Sequence, residues 1–476
     1  MTVVDVQRAP SADIENTGKI INDFSFVIAT KNGTGSQTSN NTVLRTLFRM
    51  GIPINGKNLF PSNIYGLPTW YYIRLNKGGY RGHKAEAEVL VAYNFDTFAE
   101  DLNALPSGGV CIYPLEWTVE PSRDDVYYYR IPVKDLTQEA KPPQAFREYV
   151  ANMVYVGAMA YLFNLDMDEI RHSLNYNFNN KASAVDLNYG LVKMAYDWAE
   201  ENLNKMDPYW CERMDEHWND DMVLIDGNSA AALGTVFGGI HFLSWYPITP
   251  SSSLAESIQA YLGEYRHTED GQATYAIVQA EDELAAIGMA IGSGWAGARG
   301  MTCTSGPGIS LMSEFAGYAY FAEIPVVVWD IQRMGPSTGL PTRTSQGDVI
   351  STHFLSHGDT RQICLLPSDM RECFRFGWEA FDFAERLQMP VFVLSDLDLG
   401  MNMHCTPKFE YPDHPMDHGK VLSAKDLEEI KGKWGRYVDV DGDGITYRTL
   451  PGTDHPRSAY FTRGTGHNEM AVYSEK

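Results

Sequence analysis

Apolar and polar positions along this chain follow two alternating rhythms. Short, mostly apolar runs recur at residues 24–29, 70–74, 89–92, 110–113, 223–225, 275–278, 300–304, 325–330, 362–366 and 390–395. Runs of this length, closed by Gly, Pro or polar residues, predict strands buried on both faces. Between them apolar residues return at helical spacing, as at Val43, Leu44, Leu47 and Phe48, and over 97–105, 146–165, 185–206, 230–242 and 253–262. Strands alternating with helices predict an α/β protein. The expected order is a tail (1–20), an α/β domain (21–207), a polar linker (208–221) and a doubly wound parallel-sheet domain (222–400). From 401 to 476 the pattern dissolves into an irregular extension with one charged helix at 424–433.

Composition narrows the class. A chain of 476 residues holds two to four domains. A net charge of −23 argues against nucleic acid, whose phosphates need a basic surface. No window approaches the ~20 apolar residues of a membrane span, and the start lacks the basic and apolar segments of a signal peptide, so a cytoplasmic setting is expected. The six cysteines, at 111, 211, 303, 364, 373 and 405, include no C-x-x-C pair. This chain therefore offers no iron–sulfur cradle or zinc ribbon, and reduced packing thiols are expected.

The chemistry concentrates in turns after strands, where open α/β sheets bind ligands. Gly33-Thr34-Gly35-Ser36-Gln37 joins the first strand to a helix and suits either an anion or a tight turn. Glu281, Asp282 and Glu283 head a small-residue helix in which Gly288 and Gly292 form a smooth strip. A carboxyl buried there would have a raised pKa suited to proton exchange, while an N-cap cluster is the structural alternative. Thr304-Ser305-Gly306-Pro307-Gly308 is a second polar turn. Arg333 opens a proline-stiffened loop through Thr338 to Thr342, where a guanidinium can clamp a carboxylate or pair with Asp330 or Asp348.

Five segments together carry a resemblance: Tyr246-Pro247-Ile248-Thr249-Pro250-Ser251-Ser252, the Glu-Asp-Glu helix, Thr304–Gly308, Arg333–Thr342, and Gln346-Gly347-Asp348. They resemble the alpha subunits of 2-oxoacid:ferredoxin oxidoreductases, closest to the 2-oxoglutarate type with a gamma domain fused ahead of the alpha part. The resemblance implies an α/β gamma-type domain followed by one that binds the pyrimidine end of thiamine diphosphate. It implies a beta subunit carrying the diphosphate site, Mg²⁺ and a 4Fe–4S cluster, in an alpha2beta2 assembly with the active site between subunits. A 2-oxo acid would be decarboxylated, its electrons passed to ferredoxin and its acyl group to coenzyme A. By that resemblance Glu283 is the glutamate on the aminopyrimidine, with Glu281 second choice; a glycine nine residues on, Gly292, fits the pattern. Arg333 would bind the oxo-acid carboxylate and Thr249 would lie against the substrate. Tyr246, Thr338 and Thr342 would line its pocket, and Pro247, Ser305 and Gly306 would face the cofactor. The Gly33, Gly35, Ser36 and Gln37 turn would contact coenzyme A. A non-catalytic coenzyme A-binding scaffold, or half of another thiamine enzyme, are the competing readings.

Two features stand apart. Asp439, Asp441 and Asp443 resemble half of a calcium loop, although Leu450 cannot supply the closing carboxylate; metal binding there and a plain polar turn both remain open. Members of this type also usually continue beyond the present end with a further α/β domain.

Overall fold

The computed structural model describes residues 6–11, 18–60, 65–80, 82–119 and 122–475. Residues 1–5 and 12–17 of the expected tail lie outside them. The chain divides into two compact units, Met1–Leu224 with Asn402–Lys408, and Ile225–Met401 with Phe409–Lys476. The stretch read as one appendage from 401 is thus split between them.

The first unit is built on β1 (Asp23–Lys31), β2 (Ile54–Leu59), β3 (Pro68–Asn76), β4 (Val89–Ala92), β5 (Val110–Pro114) and β6 (Tyr127–Ile131). β6, β5, β4 and β1 run parallel in that order; β1 then pairs antiparallel with β3, and β3 with β2. Gln7–Arg8 and the strands Met403–Pro407 and Met222–Ile225 extend the two edges. Phe24 to Thr30 are all buried, which is why β1 reads as a continuous run. β2 (INGKNL) and β6 (YYYRI) lack such runs, and neither was expected. Helix α1 (Ser36–Arg49) buries Val43, Leu44 and Leu47. The helix expected over 146–165 is instead Arg147–Ala151 followed by α2 (Met153–Phe163). α2 is buried nearly all round against α3 (Ala182–Asn202). A Cβ at Gly157 would lie 2.1 Å from the Val192 carbonyl oxygen, so these helices meet backbone to backbone.

The second unit holds β7 (Phe242–Trp245), β8 (Ala276–Gln279), β9 (Gly300–Thr304), β10 (Val326–Gln332), β11 (Ile363–Leu365) and β12 (Pro390–Asp396). They form one parallel sheet in the order β8-β7-β9-β10-β12-β11. The helix expected over 230–242 ends earlier, and its last residue, Phe242, opens β7, a strand that was not expected. The helix, α4 (Gly227–Phe237), stops at Gly238-Gly239, where Gly239 takes φ +74°, a left-handed stop that glycine accepts without strain. Further helices include α5 (Ser252–Tyr265), α6 (Glu283–Trp295), α7 (Gly306–Leu311), α8 (Ser313–Ala322), α9 (Val349–His353) and α10 (Met370–Leu387).

The expected glycine strip on α6 holds at Gly288, where a ring approaches, and needs correcting at Gly292. Gly288 meets the Phe315 ring, and a Cβ at Gly292 would meet nothing within 4 Å. The close approach belongs to Gly294, where a Cβ would lie 2.0 Å from the Pro325 carbonyl oxygen.

Residues 409–476 carry little regular structure and are tied down by buried arginines. Arg299 donates to Glu385 (2.8 Å), Asp382 (2.6 Å) and the Gly238 carbonyl (2.7 Å), and reaches the Asp417 carbonyl at 3.1 Å. Arg448 donates to the Gly294 carbonyl, and Arg436 to the carbonyl and carboxylate of Glu323. Burial lowers Arg448 to about 10, against the opposing pull of Glu385. The Asp-rich turn has its own cation: Lys420 Nζ lies 2.9 Å from Asp441 and 2.7 Å from Asp443. Asp439 accepts from the Gly442 and Gly444 N–H groups. Among the described residues no cluster of three or more His, Cys, Asp or Glu is placed to hold a metal. The half calcium loop is thus corrected to a polar turn closed by a lysine.

None of the six cysteines is in a disulfide, and five are buried. Among the described residues no helix is long and apolar enough to cross a membrane.

The two glycines of α6 separate in a melting experiment. Gly292→Ala should leave stability unchanged or raise it by up to about 1 kcal/mol. Gly294→Ala should lower it by about 1–3 kcal/mol, because backbone must move. Equal melting temperatures for the two purified variants would contradict this packing.

Candidate active site

In the second unit the chain leaves β7 toward β8 on one side and leaves β9 toward β10 on the other. A crevice opens at the carboxyl ends of strands where the order reverses in this way. The turns after β7, β8, β9 and β10 all start at this edge of the sheet, and the resembling motifs occupy them.

Glu283 is the first residue of α6 and is 6% exposed. Asp282 takes the N-cap, accepting from the Ala285 N–H at 2.7 Å, and Glu281 is exposed. The acidic triplet therefore divides its labour: one capping acid, one solvated acid and one buried acid. Glu283 is packed against the turn after β9, where a Cβ at Gly308 would come within 2.9 Å of Glu283 Cγ and 1.9 Å of Thr304 Oγ1. Only glycine fits between them. Ser305 is fully buried with its Oγ unpartnered among the described residues, and Gly306 opens α7.

Arg333 follows β10 and is 6% exposed. Nη1 donates to the Thr249 carbonyl at 2.8 Å and Nη2 to the Thr338 carbonyl at 3.0 Å. Nε is buried and has no partner among the described residues. Thr249 and Thr338 thus engage the arginine through their backbones. The 333–342 loop is a tight return: Leu340 N–H donates to the Met334 carbonyl, and Met334 N–H to the Arg343 carbonyl. Gly339 at φ +55° sits where a Cβ would lie 1.8 Å from the Met334 carbonyl oxygen. Thr342 is buried, and its hydroxyl accepts from Arg343 Nη1 at 3.4 Å. Tyr246 and Pro247 are exposed on the turn after β7.

Three further side chains complete this polar set. Asp330 is fully buried on β10, register partner of Thr304 on β9. Asp348 lies against α7, where a Cβ at Gly306 would be 3.0 Å from its Oδ2. Gln332 accepts from the Asp348 N–H at 3.1 Å and donates to the Ser395 carbonyl. Burial, then the neighbouring Asp348, holds the Asp330 carboxyl well above the usual carboxylate range. Burial also raises Asp348, opposed by its hydrogen bond to Asp330 and by Arg333. Burial lowers Arg333, and Asp348 and Glu283 act against that. Sequence reasoning treated Asp330 and Asp348 only as rival partners for Arg333. An acid ending a fully apolar strand was the available signal.

The structure brings Glu283, Thr249, Ser305, Gly306, Arg333, Thr338 and Thr342 to one edge of one sheet. Gly33, Gly35, Ser36 and Gln37 belong to the first unit. Gly33 (φ +86°) lies beneath the Tyr65 ring and Gly35 (φ +80°) against the Tyr149 backbone, so packing alone demands both glycines. Gln37 bonds Asn41 at the start of α1, and a cavity of about 450 Å³, walled mostly by apolar side chains, opens beside Gly35 and Thr38.

Comparison with known proteins follows the same division. A family described as "Pyruvate flavodoxin/ferredoxin oxidoreductase, thiamine diP-bdg" matches residues 234–435, and "Pyruvate ferredoxin/flavodoxin oxidoreductase" matches residues 25–198. The chain is 32% identical over 497 residues to 2-oxoacid:ferredoxin oxidoreductase 1, subunit alpha, of Sulfurisphaera tokodaii, covering 95% of this chain and 76% of that one. It is 46% identical over 189 residues to 2-oxoglutarate synthase subunit KorA of Methanothermobacter marburgensis, covering 40% and 48%. The solved 2-oxoglutarate:ferredoxin oxidoreductase of Magnetococcus marinus, with 2-oxoglutarate, coenzyme A and succinyl-CoA bound, matches with a TM-score of 0.84. That match has 29% identity and covers 96% of this chain and 76% of that one. By sequence along most of its length, this chain belongs to the family of 2-oxoacid:ferredoxin oxidoreductase alpha subunits.

Proposed function

We propose that this chain supplies the substrate-carboxylate clamp and the pyrimidine-facing acid of a 2-oxoglutarate:ferredoxin oxidoreductase. It would act with a beta subunit that holds Mg²⁺ and a 4Fe–4S cluster in an alpha2beta2 assembly. The observation that carries the reading is Arg333: a buried guanidinium steered by two backbone carbonyls, with Nε left without a partner among the described residues. The preference for 2-oxoglutarate is supported by the names of the Methanothermobacter and Magnetococcus relatives.

The residues present fit thiamine diphosphate. No hydrogen bond or ion pair within the described residues engages the Glu283 carboxylate, although the residue is buried. A buried acid in that state calls for a polar partner from outside the chain. Thiamine diphosphate, when bound, supplies the nucleophilic carbon and the electron sink for decarboxylation. Glu283 would hold or release a proton at a ring nitrogen of the pyrimidine. Pro247, Ser305 and Gly306 would flank that ring. Arg333 would take the carboxylate next to the oxo group, with Thr249, Tyr246, Thr338 and Thr342 around the substrate. Fixing that carboxylate sets the carbonyl carbon in line for attack. In the first unit, the Gly33–Gln37 turn and the cavity beside it are the proposed contact for coenzyme A, which would take the acyl group; ferredoxin would take the electrons.

The complex of this chain with its beta subunit should reduce viologen only when both a 2-oxo acid and coenzyme A are present. Glu283→Ala and Arg333→Ala should each lower turnover at least about a hundredfold while the complex still assembles. Near-normal rates in both would remove these residues from the active site and favour the scaffold reading. In a panel of pyruvate, 2-oxobutyrate and 2-oxoglutarate, the highest kcat/KM is expected for 2-oxoglutarate; a preference for pyruvate would reject the substrate assignment and leave the two residue roles standing.

A further inference from the structure

Asp330 is fully buried, and among the described residues neither of its carboxyl oxygens receives an N–H or O–H bond. Asp348 Oδ2 is sealed in the same way. The two side chains meet at the turn after β9: Asp330 is in register with Thr304, and two residues on a Cβ at Gly306 would be 3.0 Å from Asp348 Oδ2, so that each carboxyl acts on the other. Two carboxylates cannot bond to each other while both are ionised, because each then only accepts. One proton between them turns the contact into a hydrogen bond and leaves a single negative charge.

We propose that Asp330 and Asp348 share one proton, and that the single charge they retain positions Arg333 to receive a substrate carboxylate. The geometry assigns the proton to Asp330. It sits inside the sheet, between β9 and β12, with Thr304 and Leu394 as its register partners. Asp348 is the outer member, anchored through its backbone N–H to Gln332 and lying against the α7 backbone at Gly306.

The charged groups around the pair agree with this assignment. Arg333, the residue after β10's last, Gln332, feels Asp348 and Glu283 as its two nearby negative charges. On β11 the Cys364 thiol is raised to about 11 by burial and, after that, by Asp330. Glu283 heads α6, and α7 (GPGISL) contributes no ionisable side chain. With one charge on the pair, Arg333 is drawn toward Asp348 without forming an ion pair that a substrate would have to break. With two charges the guanidinium would be pulled inward, and an incoming carboxylate would meet added repulsion. The consequence falls on substrate binding, so it belongs in KM more than in kcat. As pH rises past the point where the pair loses its shared proton, KM should climb.

This inference rests on Arg333 as the carboxylate clamp, and its tests separate the two. Infrared spectra of the purified chain at neutral pH read the proton directly. A protonated-carboxyl band should be present, disappear in Asp330→Asn and shift in Asp348→Asn. If Asp330→Asn retains every such band of the unsubstituted chain, the proposal is overturned whatever Arg333 does. In the complex with the beta subunit, KM for the 2-oxo acid should rise at least fivefold on the alkaline side, and Asp330→Asn should lack that rise because its amide donates at every pH. An equal loss of kcat at all pH values with KM unmoved would make the pair merely structural. Should Asp330→Asn fail to fold, the band shift in Asp348→Asn and the alkaline rise in KM of the unsubstituted enzyme decide, and absence of either rejects the proposal. Arg333→Lys tests the clamp by itself: if it leaves KM unmoved, the clamp reading fails while the infrared result still stands.

Discussion

A guanidinium taken out of water must be given other oxygens in place of its hydration, and in the second unit that requirement on Arg333 organises its surroundings. The Thr249 carbonyl comes from the turn after β7 and the Thr338 carbonyl from the returning loop. Neither is a charge, so the arginine is held without being neutralised. Leaving a buried donor without its acceptor typically costs about 1–3 kcal/mol, and more when the donor is charged. That penalty constrains the two loops as much as the arginine. The Met334, Leu340 and Gly339 geometry is what lets the second loop double back far enough to present its carbonyl.

Much of this was legible because burial and chemistry leave different marks on a sequence. PVVVWD, PVFVLS and FSFVIA are strands sealed on both faces, and sealing forces continuous apolar runs. Thr304–Gly308 and Arg333–Thr342 were legible as turns because Gly and Pro are needed where the backbone bends. What escaped had its cause in tertiary context. β7 is only four residues long and follows small-residue helix sequence, so only the Gly238-Gly239 stop separates the two. β2 and β6 carry Asn, Lys, Tyr and Arg inside a sheet because side-chain hydrogen bonds accommodate them, as where Tyr129 donates to Asp207 and Arg130 to the Leu115 carbonyl. On α6 the glycine that mattered was Gly294, since helical spacing shows which residues share a face but not what lies opposite them.

Two sequence features that suggested ligands have sufficient causes within the chain. Gly33 and Gly35 are required by positive φ and by the Tyr65 ring and Tyr149 backbone against them. The Asp441 and Asp443 carboxylates are taken up by Lys420, distant in sequence and invisible to any local motif. At the Asp-rich turn the lysine answers the invitation first, whereas at the Gly-rich turn packing accounts for the glycines and leaves the cavity beside them. Glu283 differs because nothing among the described residues engages its carboxylate. Arg333 differs because one nitrogen stays free after two carbonyls have been satisfied.

That difference bears on how an acid and a guanidinium can share one pocket and both stay useful. Glu283 and Arg333 interact electrostatically, yet no ion pair within the described residues joins them. Had they paired, each would have consumed the other's function, and a buried ion pair of good geometry is slow to give up either member. The fold avoids this by placing the acid at a helix start after β8 and the cation after β10, with β7 and β9 between those strands in the sheet order. It also gives Arg333 a second negative neighbour in Asp348, which is itself tied to Asp330. A partly neutralised neighbour balances the guanidinium without capturing it, and so leaves Glu283 and Arg333 each open to a different group.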